Sequence, residues 1–506
     1  SANMQFVNTI IGFLNKKRLR QIEYFRKHPV EAQEKVRKYL LSFAAHTEWG
    51  KKYAFHDIKS YHDYTNRIPV LSYEEYKPYI ERLMKGEADV TWPGTIGWFA
   101  KSSGTTSEKS KFLPVSKESL YHNHYRGGRD VLAVYCHNYP RTRIFSGKGL
   151  TLGGSHQISS FNKKSLYGDL SAILISNSPS WAHLIRTPRV EIALMNDWEK
   201  KLEEITRATI HENVTSIAGV PSWNLVLLKY ILEYTGKKNM LEIWPSLELF
   251  SHGGISFAPY KKQFEKIIPS ANMHYMETYN ASEGFFALQD DPTSDSMLLM
   301  MDSGIFYEFI PADQLGNTNV KAMSVADVKT NVNYAMVIST NAGLWRYIIG
   351  DTIMFTSLFP HKIKITGRTK HFINVFGEEI IIDNAEKALR IACERTDAEV
   401  NEYTVAPIFM DDNNSGSHEW LVEFEKEPTD INHFASELDK ALMAVNSDYE
   451  AKRYKDITLK KPIVRKVKKG CFHRWMALKG KMGGQNKVPR LFNERTYVEE
   501  LIALNQ

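Results

Sequence analysis

The stretch Lys101-Ser102-Ser103-Gly104-Thr105-Thr106-Ser107-Glu108-Lys109-Ser110-Lys111 concentrates hydroxyls, a glycine and lysines in one short run. Glycine lets backbone N–H groups approach an anion, hydroxyls add donors and lysine adds countercharge, which together make the chemistry of a phosphate cradle. The spacing is not that of a Walker loop, whose G-x-x-x-x-G-K-[ST] pattern is missing. Taken alone, the string also fits a turn capped by its own hydroxyls.

Three further segments carry compatible chemistry. Tyr279-Asn280-Ala281-Ser282-Glu283-Gly284 follows an apolar run. Its ring offers a face to a purine, and Glu283 offers a hard oxygen ligand to a Mg2+ ion bridging phosphates; an ordinary strand-end turn would read the same way. Trp345-Arg346-Tyr347-Ile348-Ile349-Gly350-Asp351, then Gly367-Arg368-Thr369-Lys370, sets an acid just past a glycine turn. There it can accept from both hydroxyls of a ribose, with Arg368 as a further donor. Gly483-Gly484-Gln485-Asn486-Lys487-Val488-Pro489-Arg490 reads as a mobile loop that carries the Lys487 ammonium to charge developing where a carboxylate attacks an α-phosphate, or as a flexible basic turn.

In this order and at these separations, the four segments resemble the adenylate-forming superfamily. Within it they are most similar to the plant auxin-responsive acyl acid amido synthetases, the Gretchen Hagen family, and their bacterial relatives. The resemblance spans nearly the whole chain. It implies an enzyme that uses ATP and Mg2+ to activate a carboxylic acid as its acyl-AMP, then passes the acyl group to an amine, by resemblance an amino acid. It implies that Ser102, Ser103, Gly104, Thr105, Thr106 and Lys111 handle the phosphates, and that Tyr279 and Ser282 flank the adenine and α-phosphate. His252, Gly253 and Gly254 would build the other adenine wall, and Asp351 and Arg368 would hold the ribose. Glu283 would hold Mg2+, and Lys487, Glu283 and Thr105 would form the catalytic set. The sequence departs from the family pattern at Glu108, where glycine is usual, and at Asn280 and Ile348-Ile349. An acid beside a phosphate loop must point outward or pair with Lys109 or Lys111.

These residues need a scaffold. From about residue 95 to 365, short β-rich runs alternate with helical patterns: 215–218 before Pro221, then a helix-like 223–234 with Leu227, Leu228, Ile231 and Leu232 on one side. The runs 247–250 and 273–279 precede His252-Gly253-Gly254 and the Tyr279 motif. Such alternation predicts an α/β body. After Gly367 the pattern becomes a compact series: strand 372–375, a helix from Asp383, strands 404–410 and 420–424 joined as a hairpin, a helix carrying Phe434, Leu438, Ala441, Leu442 and Val445, and a strand at 463–467. The expected architecture is mixed α/β, with a large N-terminal body of adenylate-forming type at 1–367 and a small, mobile α+β C-terminal domain at 368–506. Walls for the acyl group are sought among the aromatic and aliphatic residues of the body: Tyr121, Tyr125, Leu152, Trp181, Ile185, Val220 and Trp223.

Composition bounds the alternatives. A chain of 506 residues exceeds what one core organises, and 43% hydrophobic with 24% charged residues is a globular balance. Cys136, Cys393 and Cys471 are too far apart for a zinc or disulfide framework, which points to a reducing cytoplasm. No apolar run approaches the roughly 20 residues that span a bilayer. The segment 6–14 is interrupted by Asn8, Thr9 and Gly12 and precedes its basic cluster, so it is read as a terminal helix docked on the body. The net charge of +7 is concentrated at 451–490, where Asp456 is the lone acid among fourteen Lys and Arg. Those cations could face phosphates or simply water; no nucleic-acid module accompanies them. Two rival functions remain at this point, an acyl-CoA ligase of the same superfamily and a nucleotide-binding protein without catalysis.

Overall fold

The computed structural model of the chain describes residues 2–103, 109–152, 158–410, 415–479 and 488–506, with side chains from residue 9 onward except that of Ser103. Short apolar runs separated by turns assemble, as the alternation requires, into a large N-terminal body and a smaller C-terminal domain. The body is organised on an eleven-stranded sheet. One end of it is parallel: Arg186–Thr187, Lys148–Thr151, Val214–Gly219, Leu249–His252 and His274–Ala281 run side by side. The other end is antiparallel, from Gly284–Leu288 through Met297–Leu299, Lys362–Arg368, Tyr347–Ser357 and Asn333–Thr340 to Ile305–Pro311. A separate four-stranded sheet contains Trp98–Ser103 and Ser110–Val115 as an antiparallel hairpin.

Helices cover the parallel end, and their limits follow local chemistry. Pro221–Thr235 opens on a proline, whose missing N–H costs nothing in the first turn, and stops at Gly236, which takes the left-handed conformation at φ 69°. Trp198–Thr209 is capped by Asp197, whose carboxylate accepts from the N–H groups of Glu199 and Lys200. Together they bury Leu202, Ile205, Leu225, Leu228 and Ile231 against Ile217 and Phe250 of the sheet.

The terminal helix extends over Ala2–Lys27 and docks through its later turns. Phe13 and Leu14 are 66% and 55% exposed, whereas Ile22 and Phe25 are buried in the main core. Arg18 fixes the helix by forking to Asp130 at 2.7 Å and to Asp302 at 2.7 Å. No helix among the described residues is long and apolar enough to cross a membrane.

Arg346 immediately precedes the strand that carries Asp351, and it is buried against Glu308, which is 0% exposed, at 2.8 Å. Its other donors reach the carbonyls of Thr65 and Ile68, and the Tyr61 hydroxyl donates to Glu308, so the pair joins an N-terminal helix to the sheet. Removing one partner would leave a charge buried and uncompensated. Arg346→Ala is therefore expected to destabilise the protein by about 3 to 5 kcal/mol. Urea denaturation checks this, and the double variant Arg346→Met/Glu308→Leu should recover part of the loss.

The C-terminal domain is built on a three-stranded sheet, Glu399–Phe409, Gly416–Lys426 and Ile463–Lys466. Ile382–Thr396 and Ile431–Val445 pack on one face through Val405, Trp420 and Val422. Cys471–Leu478, Thr496–Leu504 and Val488 pack on the other through Ala406 and Leu421. Part of the basic segment is paired within this domain: Arg453 with Asp439, Arg465 with Glu419, Lys466 with Glu427, Lys469 with Glu425 and Lys479 with Glu500.

Candidate active site

In the Trp98–Ser103/Ser110–Val115 hairpin, Ser102 stands opposite Lys111 and Ser103 opposite Ser110. Directly opposed residues share a face, so the Ser102 hydroxyl and the Lys111 ammonium project together. The connecting loop, with Gly104, Thr105, Thr106 and Glu108, lies outside the described residues, as does Lys487. Lys111 reaches across to Glu283, Nζ to Oε1 3.6 Å, just beyond hydrogen-bond range. Glu283 and Ser282 form the two-residue tip between His274–Ala281 and Gly284–Leu288. Ser102 Oγ and Glu283 Oε1 are both buried with no hydrogen-bond partner among the described residues. Buried polar atoms are normally paired, so two orphans from adjoining elements mark a place where a ligand completes the set.

A second group lies alongside. The Tyr279 hydroxyl donates to Asp351 Oδ2 at 2.6 Å and Arg368 donates to Asp351 Oδ1 at 3.0 Å. Arg368 also donates to Glu379 of the C-terminal domain at 2.7 Å, a partner that carries no signal in the sequence. Each Asp351 oxygen thus accepts once and retains acceptor capacity, and its side chain is 18% exposed. The preceding glycine is required: Gly350 sits at φ 89°, and a Cβ there would lie 2.7 Å from Arg368 Nη2. Tyr279 itself is buried edge-on against Phe286, with its hydroxyl held well above the usual phenol range first by burial and then by the Asp351 charge.

His252-Gly253-Gly254 close the strand Leu249–His252, at the carboxyl edge of the parallel segment. Ligands of open α/β sheets bind at that edge. The His252 ring stacks on Phe257 at 4.2 Å, and its Nδ1 is buried without a partner among the described residues. Burial pushes the imidazole down to about 4, so it is neutral near pH 7 and presents a flat uncharged face. The buried His124 is pushed down to about 4 for the same reason. Between the ordinary 6.5 and about 4 the unfolded chain binds protons at these sites that the folded chain excludes. Their contribution to stability is complete above pH 6.5 and is lost as pH falls toward 4. Urea midpoints measured across that window should fall less steeply for His252→Gln and His124→Gln than for the unaltered protein.

The acyl-pocket candidates separate in space. Val220 and Trp223 follow the strand Val214–Gly219, and Leu152 follows Lys148–Thr151, so all three stand at the same carboxyl edge as His252. Val220 lies beside Gly254, within 3.2 Å of where a Cβ there would stand, and Trp223 stacks on Trp198 at 4.0 Å and 9°. Tyr125 is tied by its hydroxyl to the Leu174 carbonyl at 2.6 Å, whereas Tyr121, Trp181 and Ile185 are exposed at the surface.

The mixed α/β body with a smaller C-terminal domain has the fold of adenylate-forming ligases. The same fold is seen in a solved structure described as AtGH3.15 acyl acid amido synthetase in complex with 2,4-DB, with TM-score 0.62 and 18% identity over 97% of this chain and 96% of that one. Residues 18–273 match the GH3 family N-terminal domain, 298–368 the GH3 family central domain and 383–496 the GH3 family C-terminal domain, and the chain belongs to the GH3 family. Among curated relatives, the indole-3-acetic acid-amido synthetase GH3.4 of Arabidopsis thaliana is 22% identical, covering 94% of this chain and 91% of that protein. The 4-substituted benzoates-glutamate ligase GH3.12 of the same plant is 21% identical over 84% and 87%. By class the chain is an acyl acid amido synthetase, a ligase that forms carbon–nitrogen bonds through an acyl-adenylate.

Proposed function

We propose that this protein uses ATP and Mg2+ to adenylate a small carboxylic acid and then transfers the acyl group to an amino acid, in a reducing cytoplasm suited to its free cysteines. The observation that carries the site assignment is the pair of orphaned buried acceptors, Ser102 Oγ and Glu283 Oε1, beside the Lys111 ammonium. Ser102, Ser103 and the hydroxyls of Thr105 and Thr106 receive the phosphates, with Gly104 permitting close approach and Lys111 supplying countercharge. Mg2+ fits at Glu283, a buried carboxylate with an uncommitted oxygen, and there it would neutralise charge on the phosphate oxygens. Asp351 and Arg368 take the ribose, His252, Gly253, Gly254 and Tyr279 border the adenine, and Ser282 the α-phosphate.

The chemistry follows from what a carboxylate lacks. It is a poor acyl donor until one of its oxygens attacks the α-phosphorus, expelling pyrophosphate and leaving a mixed anhydride with a good leaving group. Val220 and Trp223 wall the acyl group at the sheet edge. The amine then attacks the acyl carbonyl, AMP departs and the amide forms. We place the domain boundary at 367/368 and let the small domain, 368–506, turn there between the halves, bringing Lys487 in for the first. Acid-dependent exchange of labelled pyrophosphate into ATP across a carboxylic acid library tests the adenylation half. Adding amino acids or coenzyme A as acceptor then separates amide formation from the thioester-forming rival, and no exchange with any acid would leave only a nucleotide-binding role.

A further inference from the structure

In this structure the C-terminal domain meets the hydroxyl hairpin with one short helix, Ser447–Lys452. Ser447 donates from its N–H to the Lys109 carbonyl at 3.2 Å and from its hydroxyl to the Ser102 carbonyl at 3.3 Å, while Glu450 pairs with Lys109 at 2.8 Å. Just beyond, Tyr454 and Ile457 pack on the helical layer of the body, and Lys455 pairs with Glu199 at 3.1 Å. The last residue of the helix, Lys452, is thereby set over the face of Trp223, Nζ 5.4 Å from the ring centroid. Trp223 is the aromatic wall at the carboxyl edge of the parallel strands, and its indole N–H is buried with no partner among the described residues.

The surroundings of Lys452 come from both sides of the boundary. Asp169 and Trp223 belong to the body; Asp448, Glu378 and Gly377 belong to the small domain. Gly377 leaves room for the lysine stem: a Cβ there would lie 2.5 Å from Lys452 Cε. On the opposite side of the stacked pair, Lys201 lies 4.3 Å from the Trp198 ring, so the two indoles are enclosed between ammonium groups. Cation–π contact in a water-poor setting is stronger than at a surface; burial lowers the pKa of Lys452, and the carboxylates of Asp448, Asp169 and Glu378, from both domains, oppose that fall. A small domain turned about residues near 368 would carry Lys452 off Trp223. The contact is therefore specific to the orientation seen here, in which Val488 lies on the other face of the small sheet from Tyr449.

We propose that Lys452 is a positioning residue for acyl transfer: seated on Trp223, it holds the small domain over the acid crevice so that the acceptor amine, rather than water, reaches the acyl carbonyl. This rests on the two-half-reaction reading above. The test uses the full-length protein with Lys452→Met and Lys452→Arg, measuring pyrophosphate exchange, amide formation from supplied acyl-AMP, and the split of that acyl-AMP between amide and hydrolysis. Lys452→Met should keep exchange within about twofold, lose at least tenfold in amide formation and shift the split toward hydrolysis. Lys452→Arg should recover most of both losses. Equal losses in the two half-reactions, no loss in either, or an arginine variant no better than methionine would overturn the proposal. Absence of exchange in the unaltered protein would instead overturn the adenylation reading, and this inference with it.

Discussion

Lys487→Ala is expected to slow acyl-AMP formation by about two to three orders of magnitude and to leave use of presynthesised acyl-AMP nearly intact. The ammonium is assigned to negative charge that exists only as the carboxylate attacks the α-phosphate, and removing one such preorganised donor costs roughly 2.7 to 4 kcal/mol. The asymmetry follows from the domain arrangement. In the proposed mechanism the small domain turns between the halves; with Ser447–Lys452 on the hairpin, Val488 is packed with Cys471, Phe472 and Trp475 on the far face of the small sheet. Rapid-quench measurement of acyl-AMP, set beside amide formation from supplied acyl-AMP, checks this. Equal losses in both would make Lys487 structural, or active in both halves, and would remove the reason for a turning domain.

Glu283→Gln should lower adenylation by about two orders of magnitude and raise the Mg2+ concentration needed for half-maximal exchange. The side chain is 5% exposed, its Oε1 lacks a described partner, and the Lys111 ammonium lies 3.6 Å away, with Arg368 acting on it from further off. A buried carboxylate with capacity to spare is costly unless a ligand uses it, and a phosphate-bound Mg2+ needs such an oxygen. Glutamine keeps the shape and removes the charge, so folding should survive; a thermal melt verifies that. An unchanged Mg2+ dependence would assign Glu283 to Lys111 alone.

Asp351, Glu283 and the hydroxyl hairpin stand out as candidates in the sequence because each sits in a contiguous run whose residue types suggest a chemistry. Their pairings do not. Arg368 reaches Glu379, Lys111 reaches Glu283 and Lys452 reaches Trp223 across long sequence separations, and none of these partners has a local signature. Helices such as Pro221–Thr235 and Ile431–Val445 were readable from periodicity and end signals. The strand Gly416–Lys426 is longer than its mostly apolar run of 420–424, and on its leading side His418 and Glu419 are buried too. His418 is satisfied by Glu378, and Glu419 by Arg465 and Arg495. Apolar patterning alone stops where paired polar burial begins. At the N-terminus the segment 6–14 reads as part of a docked terminal helix, and the helix docks, but Phe13 and Leu14 are exposed while Ile22, Phe25 and Arg18 make the attachment.

The central claim is that acid and amine are joined through an acyl-AMP, and an oxygen-transfer measurement tests it most directly. The protein is supplied with ATP, Mg2+, an amino acid and a carboxylic acid carrying 18O in both carboxyl oxygens, and the products are read by mass spectrometry. Attack on the α-phosphorus followed by aminolysis must leave one 18O in AMP and the other in the amide carbonyl, with unlabelled pyrophosphate. Label in inorganic phosphate together with ADP, or an amide formed without labelled AMP, would contradict the account.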